Sequence, residues 1–265
     1  MTVAATTPAR DTAEPLISVI GLYKAFGEKK VLNGVDLEIA RGESLMLVGG
    51  SGAGKSVFIK HLIGLLQPDA GHVVVDGVDL TLAPPEIVLE LRKRFGMSFQ
   101  EGALFDSMTV AENISFPIRR HTSKNAKQVS ARVRECLELV RLPGIENKMP
   151  SELSGGMRRR VGFARAIALE PEILLFDEPT TGLDPINTAA IGKVINQLRT
   201  DLGVTAVTIT HDMNLATRIA DRVAMMRRGR ILLADVPERF LKSENWFVRA
   251  FLDGEVPDEA EEEKS

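Results

Sequence analysis

The sequence predicts an α/β fold, a mostly parallel sheet wrapped by helices and interrupted by a helical insertion, and three observations carry that reading. The loop Gly49-Gly50-Ser51-Gly52-Ala53-Gly54-Lys55-Ser56 stands between an apolar run, SLMLV (44–48), and a segment with Phe58, Leu62, Ile63 and Leu66 at helical spacing. That is the strand–loop–helix setting of a phosphate-binding loop, G-x-x-x-x-G-K-[ST]. ILLFD (173–177) and VTAVTIT (204–210) are near-continuous apolar or β-branched runs, as parallel strands covered on both faces should be. Between Gln100 and about Arg165 alternation disappears and helical spacing takes over.

The elements follow in order. Residues 1–15, rich in Ala, Thr and Pro with scattered charge, predict a disordered lead-in. Leu16–Phe26 and Val31–Ala40 predict two strands about a turn at 27–30. After the loop and its helix, HVVVD (72–76) predicts a strand closed by Gly77, Pro85 to about Arg94 a helix, and Gly96–Phe99 a short strand. In the insertion, Val129, Val133, Cys136, Leu137 and Val140 form one apolar stripe, and Pro143-Gly144 should stop that helix. A helix from Pro185 to about Leu202 links the two buried strands. Arg222–Met226 and Ile231–Ala234 predict two more strands, followed by two short helices to about Leu252 and an acidic tail.

Composition bounds the function. At 265 residues, 44% apolar and 26% charged, the chain can bury a substantial core. A formal net charge of −3 gives no basic bias, so nothing argues for a nucleic-acid partner. One cysteine, Cys136, excludes an internal disulfide. The N-terminus has no apolar signal-like core, and no run is long enough to span a bilayer. Any membrane part must therefore come from other subunits.

The chemistry begins at the loop. Its glycines let successive N–H groups converge on one point, and the following helix adds its positive end there. Gly49 through Ser56 and Val57 would cradle the phosphates, Lys55 would reach the β- and γ-phosphates, and the Ser56 hydroxyl would ligate Mg²⁺. At the end of ILLFD, Asp177 would hold Mg²⁺ through water and Glu178 would orient and deprotonate the attacking water. An apolar strand ending in Asp-Glu is weak evidence alone; beside a phosphate loop it is strong. Leu153-Ser154-Gly155-Gly156-Met157 opens a helix whose cap is Ser154 and whose glycines would expose a second anion site. Two phosphate-binding ends on one chain make sense if two copies meet head to tail. Arg158, Arg159 and Arg160 read more simply as a solvated helix face than as a binding patch.

Taken together, these motifs resemble the ATP-binding-cassette (ABC) ATPases from about Leu16 to Leu241. GGSGAGKS is similar to Walker A, LSGGM to the family signature, ILLFDE to Walker B, and Thr181-Gly182-Leu183-Asp184 to the D-loop. The resemblance implies a RecA-like core with an N-terminal antiparallel β subdomain and a helical insertion. It implies a domain at 16–243 with its helical subdomain at about 100–165, then a C-terminal helix and acidic tail at 244–265. It assigns a γ-phosphate contact to His211, a Mg²⁺-touching and partner-sensing role to Gln100, and adenine stacking to Phe26. It places Ser154, Gly155 and Gly156 on the ATP of a second cassette. Two departures are modest: Met157 replaces the commoner Gln, and Phe26 the commoner Tyr. In transporters of this family, a groove beside the glutamine loop receives a short helix of the membrane subunit. Glu101 to Met108 could build that groove or could pack as ordinary core, and the two readings stand level.

More narrowly, FQEGALFDSMTVAENISFPIRRHT (99–122), the run from Met149 to Ile186 and Phe251-Leu252-Asp253-Gly254 are similar to the cassette of the Mla/Mce lipid transporters. That resemblance implies a homodimer on the cytoplasmic face of the inner membrane, bound peripherally to multi-spanning permease subunits and an MCE-domain lipid-binding protein. In that family a tail near FLDG reaches the other cassette, and Trp246 to Leu252 could do the same. Two alternatives remain open: the cassette of an amino-acid or other small-solute importer, and a soluble Fe–S assembly cassette.

Overall fold

The structure, a computed structural model, describes residues 14–100 and 102–255. The expected lead-in and acidic tail fall largely, and Glu101 wholly, outside the described residues. In chain order the elements are β1 (Ile17–Phe26), β2 (Lys29–Ile39), β3 (Ser44–Val48), α1 (Lys55–Leu62), β4 (Ala70–Val75), β5 (Val78–Asp79), α2 (Pro85–Arg92) and β6 (Phe95–Ser98). The insertion contributes α3 (Val110–His121), α4 (Ala126–Leu139) and α5 (Gly155–Ala166). There follow β7 (Ile173–Asp177), α6 (Pro185–Leu202), β8 (Thr205–Ile209), α7 (Met213–Ile219), β9 (Arg222–Arg227), β10 (Arg230–Asp235), α8 (Pro237–Phe240) and α9 (Trp246–Asp253).

Two sheets result. An antiparallel one runs β2-β1-β4-β5, and a six-stranded one runs β10-β9-β3-β8-β7-β6, parallel except for its edge strand β10. This is the RecA-like cassette fold with an N-terminal β subdomain and a helical insertion. Strand alternation divides the core as a period of two requires. Leu45, Leu47, Ile173 and Leu175 face the cluster shared with the antiparallel sheet and α1. Leu174 and Phe176 face the helices of the insertion and α6. Met46 and Val48 face α7, α8 and α9.

Local chemistry sets the helix ends. Thr109 and Glu112 close a capping box on α3, and Asn125 and Gln128 do so on α4. Asp184 accepts from the N–H groups of Ile186 and Asn187, both at 3.0 Å, and Gly203 ends α6 at φ 64°. Two helices are shorter than the sequence suggests. The helix after the phosphate loop stops at Leu62, because Gly64 turns left-handed (φ 63°) and Arg92 binds the Ile63 and Gly64 carbonyls instead. The stripe helix α4 ends at Leu139, before Pro143-Gly144, because Arg141 adopts a left-handed conformation; all five stripe residues are nonetheless buried.

Buried Asn113 on α3 organises the loop after β6. Its Oδ1 accepts from the Phe105 N–H (2.8 Å), and its Nδ2 donates to the carbonyls of Phe105, Met108 and Thr109. Asn113→Ala strands these buried groups, so we expect a loss of roughly 1–3 kcal/mol in urea unfolding.

Candidate nucleotide site

The parallel register brings the functional strand ends to one level. Leu47 of β3 and Asp177 of β7 both pair with Ile209 of the intervening β8. The phosphate loop leaves β3, Asp177 and Glu178 leave β7, and His211 stands two residues beyond β8, so all converge at the carboxyl edge of the sheet. There a cleft of about 630 Å³ is lined by Phe26, Lys29, Val31, Gly49 to Val57, Glu178, His211 and Phe251.

Backbone geometry explains why the loop needs its glycines. Gly49 has φ 150°, and a Cβ there would lie 2.2 Å from the Met226 carbonyl oxygen. Gly54 has φ 108°, with the Val31 carbonyl 2.8 Å from a would-be Cβ. Lys55 Nζ donates to the carbonyls of Gly49 (2.7 Å) and Gly50 (3.0 Å), which fixes the ammonium within the loop. Burial lowers the Lys55 pKa, while the charges of Glu178 and Asp177 oppose that shift.

The acidic side is equally organised. Ser56 Oγ lies 3.5 Å from Asp177 Oδ1. Burial raises the Asp177 pKa, the Ser56 hydroxyl opposes the shift, and the neighbouring Glu178 charge adds to it. Glu178 Oε2 accepts from Thr181 Oγ1 (3.1 Å) and meets His211 Nδ1 at 2.8 Å. The Glu178 backbone is left-handed (φ 50°), a sparsely populated conformation for a non-glycine residue, and its N–H donates to the Ile209 carbonyl (3.0 Å). Glu178 is thus held at its backbone and its carboxylate, and a carboxylate paired with imidazole can accept and pass a proton.

Other expected residues lie elsewhere. Gln100 is exposed and does not line the cleft; its carbonyl accepts from Arg159 Nε at 2.9 Å. Ser154, Gly155 and Gly156 also lie outside the cleft lining, at the N-terminus of α5, where Ser154 Oγ accepts from the Met157 N–H (3.3 Å). The solvated reading of the three arginines is corrected at Arg159. It is only 8% exposed, and its guanidinium bridges the carbonyls of Gln100 and Thr181, tying the segment after β6 to the segment after β7. Arg158 is exposed, and Arg160 donates to the Arg141 carbonyl. Sequence reasoning also missed Thr181 as a Glu178 partner and Lys29 and Val31 in the cleft wall. The Thr at the third place after Glu178 was a legible signal; the other two depend on the fold.

Fold and site together define a P-loop nucleoside-triphosphatase cassette. Residues 32–181 match the ABC transporter family model, and the chain belongs to that family. It is 43% identical to the probable ribonucleotide transport ATP-binding protein mkl of Mycobacterium leprae, over 90% of this chain and 69% of that protein. It is 42% identical to the methionine import ATP-binding protein MetN of Carboxydothermus hydrogenoformans, over 89% of this chain and 72% of that one. Among solved structures, cbiO1 from Clostridium perfringens, part of the ABC transporter complex cbiONQ, matches with TM-score 0.80 and 27% identity, covering 91% of this chain and 96% of that one. The ATP-binding cassette MJ0796, seen as a post-hydrolysis dimer with ADP and phosphate, matches with TM-score 0.75 and 29% identity, covering 83% and 98%. The chain is accordingly an ATP-binding, ATP-hydrolysing cassette. No helix among the described residues is long and apolar enough to cross a membrane.

Proposed function

We propose that this chain is the ATPase subunit of a membrane importer for a small solute, working as a pair of cassettes beneath permease subunits. The identity with a ribonucleotide-transport and a methionine-import cassette along about nine-tenths of the chain carries this reading. Those similarities favour the importer alternative over lipid transport. In this proposal ATP lies with its phosphates along Gly49–Val57, Lys55 neutralises the β- and γ-phosphates, and His211 touches the γ-phosphate. Glu178 takes the proton from the attacking water.

Mg²⁺ fits the donor set. A hydroxyl and a carboxylate oxygen converge at Ser56 and Asp177, both hard oxygen ligands. When bound there, Mg²⁺ supplies charge neutralisation at the phosphates. The capped N-terminus of α5 stands apart from the cleft, which supports Ser154, Gly155 and Gly156 acting on the ATP of a second copy. Gln100 would join the Mg²⁺ shell only as that pair closes.

A surface suited to the permease lies beside the loop held by Asn113. The Phe105 and Phe116 rings meet at a tilt of 51° with centroids 5.1 Å apart and stay exposed, beside a hollow of about 710 Å³ lined by Ser107, Met108, Glu112, Ser115, Phe116, Arg119 and Arg120. This supports the groove reading of 101–108 over simple core packing. The segment 99–122, with 149–186 and 251–254, underlies the second reading, lipid transport with an MCE-domain partner at the inner membrane. The test is mild extraction of the tagged chain from its native membrane and identification of what co-purifies. A permease with a solute-binding protein is the expected result. A permease with an MCE-domain protein and phospholipid would transfer the assignment to lipid transport, and recovery with soluble partners alone would overturn both.

A further inference from the structure

One residue of the cleft wall comes from the far end of the chain. Phe251 lies on α9, yet it lines the same cleft as Phe26 and the phosphate loop. The helix that carries it is fixed at both ends. Asn245 accepts from the N–H groups of Phe247 (3.0 Å) and Val248 (3.2 Å), and Gly254 closes the helix in a left-handed conformation (φ 72°). One face is bound into the core: Val248 is fully buried, and Phe247, Phe251 and Leu252 pack against the cluster containing Met46, Val48 and Phe240. The Arg227 guanidinium lies 4.7 Å from the Trp246 ring centroid and 4.2 Å from that of Phe247. Arg227 ends β9, and in the turn that follows, the Gly229 N–H donates to the Ala53 carbonyl of the phosphate loop (3.1 Å). The C-terminal helix is therefore anchored, through one short path, to the loop that takes the phosphates.

We propose that Phe251 supplies a second aromatic surface for the nucleobase, in the same chain whose loop holds the phosphates. Phe26 lines the cleft and is 49% exposed, and a base stacked on it alone would keep its second face in water. A purine has two π-faces, and a second ring from α9 removes more of that surface from water. Stacking does not read hydrogen-bond edges, so Phe251 adds affinity for bases in general. The inference rests on the assignment of this cleft to ATP, and its test separates base from phosphate. The trans reading of 246–252 is not needed for it, since α9 packs on its own cassette.

The experiment is calorimetric titration of the full-length chain, at concentrations where sedimentation shows monomer, with ATP, GTP and inorganic triphosphate. Phe251→Ala should weaken ATP and GTP each by about tenfold and leave triphosphate unchanged. Phe251→Leu, which keeps the apolar packing of α9 but has no π-face, should lose most of that factor, while Phe251→Tyr should restore parent affinity. Unchanged ATP affinity in both the Ala and Leu variants would overturn the proposal. So would an equal loss for triphosphate, which would make α9 a mere support for the loop, or tighter ATP binding, which would make it an obstruction. A parent chain whose ATP affinity survives Lys55→Ala would instead overturn the assignment of the cleft.

Discussion

Glu178→Gln should lower the turnover of ATP by about 10²–10⁴-fold while leaving ATP binding intact. The residue is pinned from three directions: its backbone N–H to the Ile209 carbonyl, and its carboxylate to Thr181 and to His211. Glutamine has the same shape, so its Oε1 can still accept from Thr181 and the strained backbone at φ 50° is unchanged. What disappears is the negative charge and the capacity to take a proton from water. If two copies close over ATP as proposed, the variant cannot reopen by hydrolysis. Size-exclusion chromatography with ATP and Mg²⁺ should then show a persistent dimer, where the parent returns to monomer. Phosphate release at the parent rate would remove Glu178 from the chemistry both as base and as electrostatic positioner.

Asp177→Asn is expected to move activity and stability in opposite directions. Asparagine is a poor Mg²⁺ ligand, so hydrolysis should fall by at least about 100-fold. Stability should rise, because burial, with a contribution from Glu178, makes ionised Asp177 costly in the folded chain. A carboxyl whose pKa is raised on folding holds a proton that the unfolded chain has already released. The folded state therefore loses stability as pH climbs from the ordinary carboxylate value through the raised one, and the full penalty applies above it. Without nucleotide or Mg²⁺, Asp177→Asn should melt a few degrees, roughly 2–4 °C, above the parent at pH 7. That advantage should vanish as pH falls below about 4, where both side chains are neutral. Added Mg²⁺ and ATP should reverse the order, since only the parent gains from the cation. Equal melting temperatures at both pH values would mean that Asp177 carries no such strain. Such a trade is common where a site is built for function.

Much of this molecule is written locally. SLMLV and ILLFD become strands with the bounds their apolar runs suggest, and the helix from Pro185 to Leu202 is framed by an Asp cap and a terminal glycine. Hydrophobic period and turn chemistry act over a few residues, so they can be read without knowing the fold. Boundaries slipped where a distant side chain intervened, as when Arg92 took the carbonyls that end α1. The short α7 was not foreseen; its cap, Asp212, follows directly on the histidine that drew attention there.

The sequence by itself determined which residue types stand at which spacing: the phosphate loop, the paired carboxylates and the capped glycine helix, with the histidine singled out by the family resemblance. The tertiary structure decided which of these meet. Strand register brought Lys55, Asp177, Glu178 and His211 to one sheet edge and left Gln100 and the Ser154 helix end outside the cleft. It also buried Arg159, which pattern alone would leave in water, and carried Phe251 from the end of the chain to the nucleotide cleft. Those outcomes depend on contacts between residues tens to hundreds of positions apart. Local periodicity holds no information about such contacts, because it reports which face of an element is apolar and not which element will cover it.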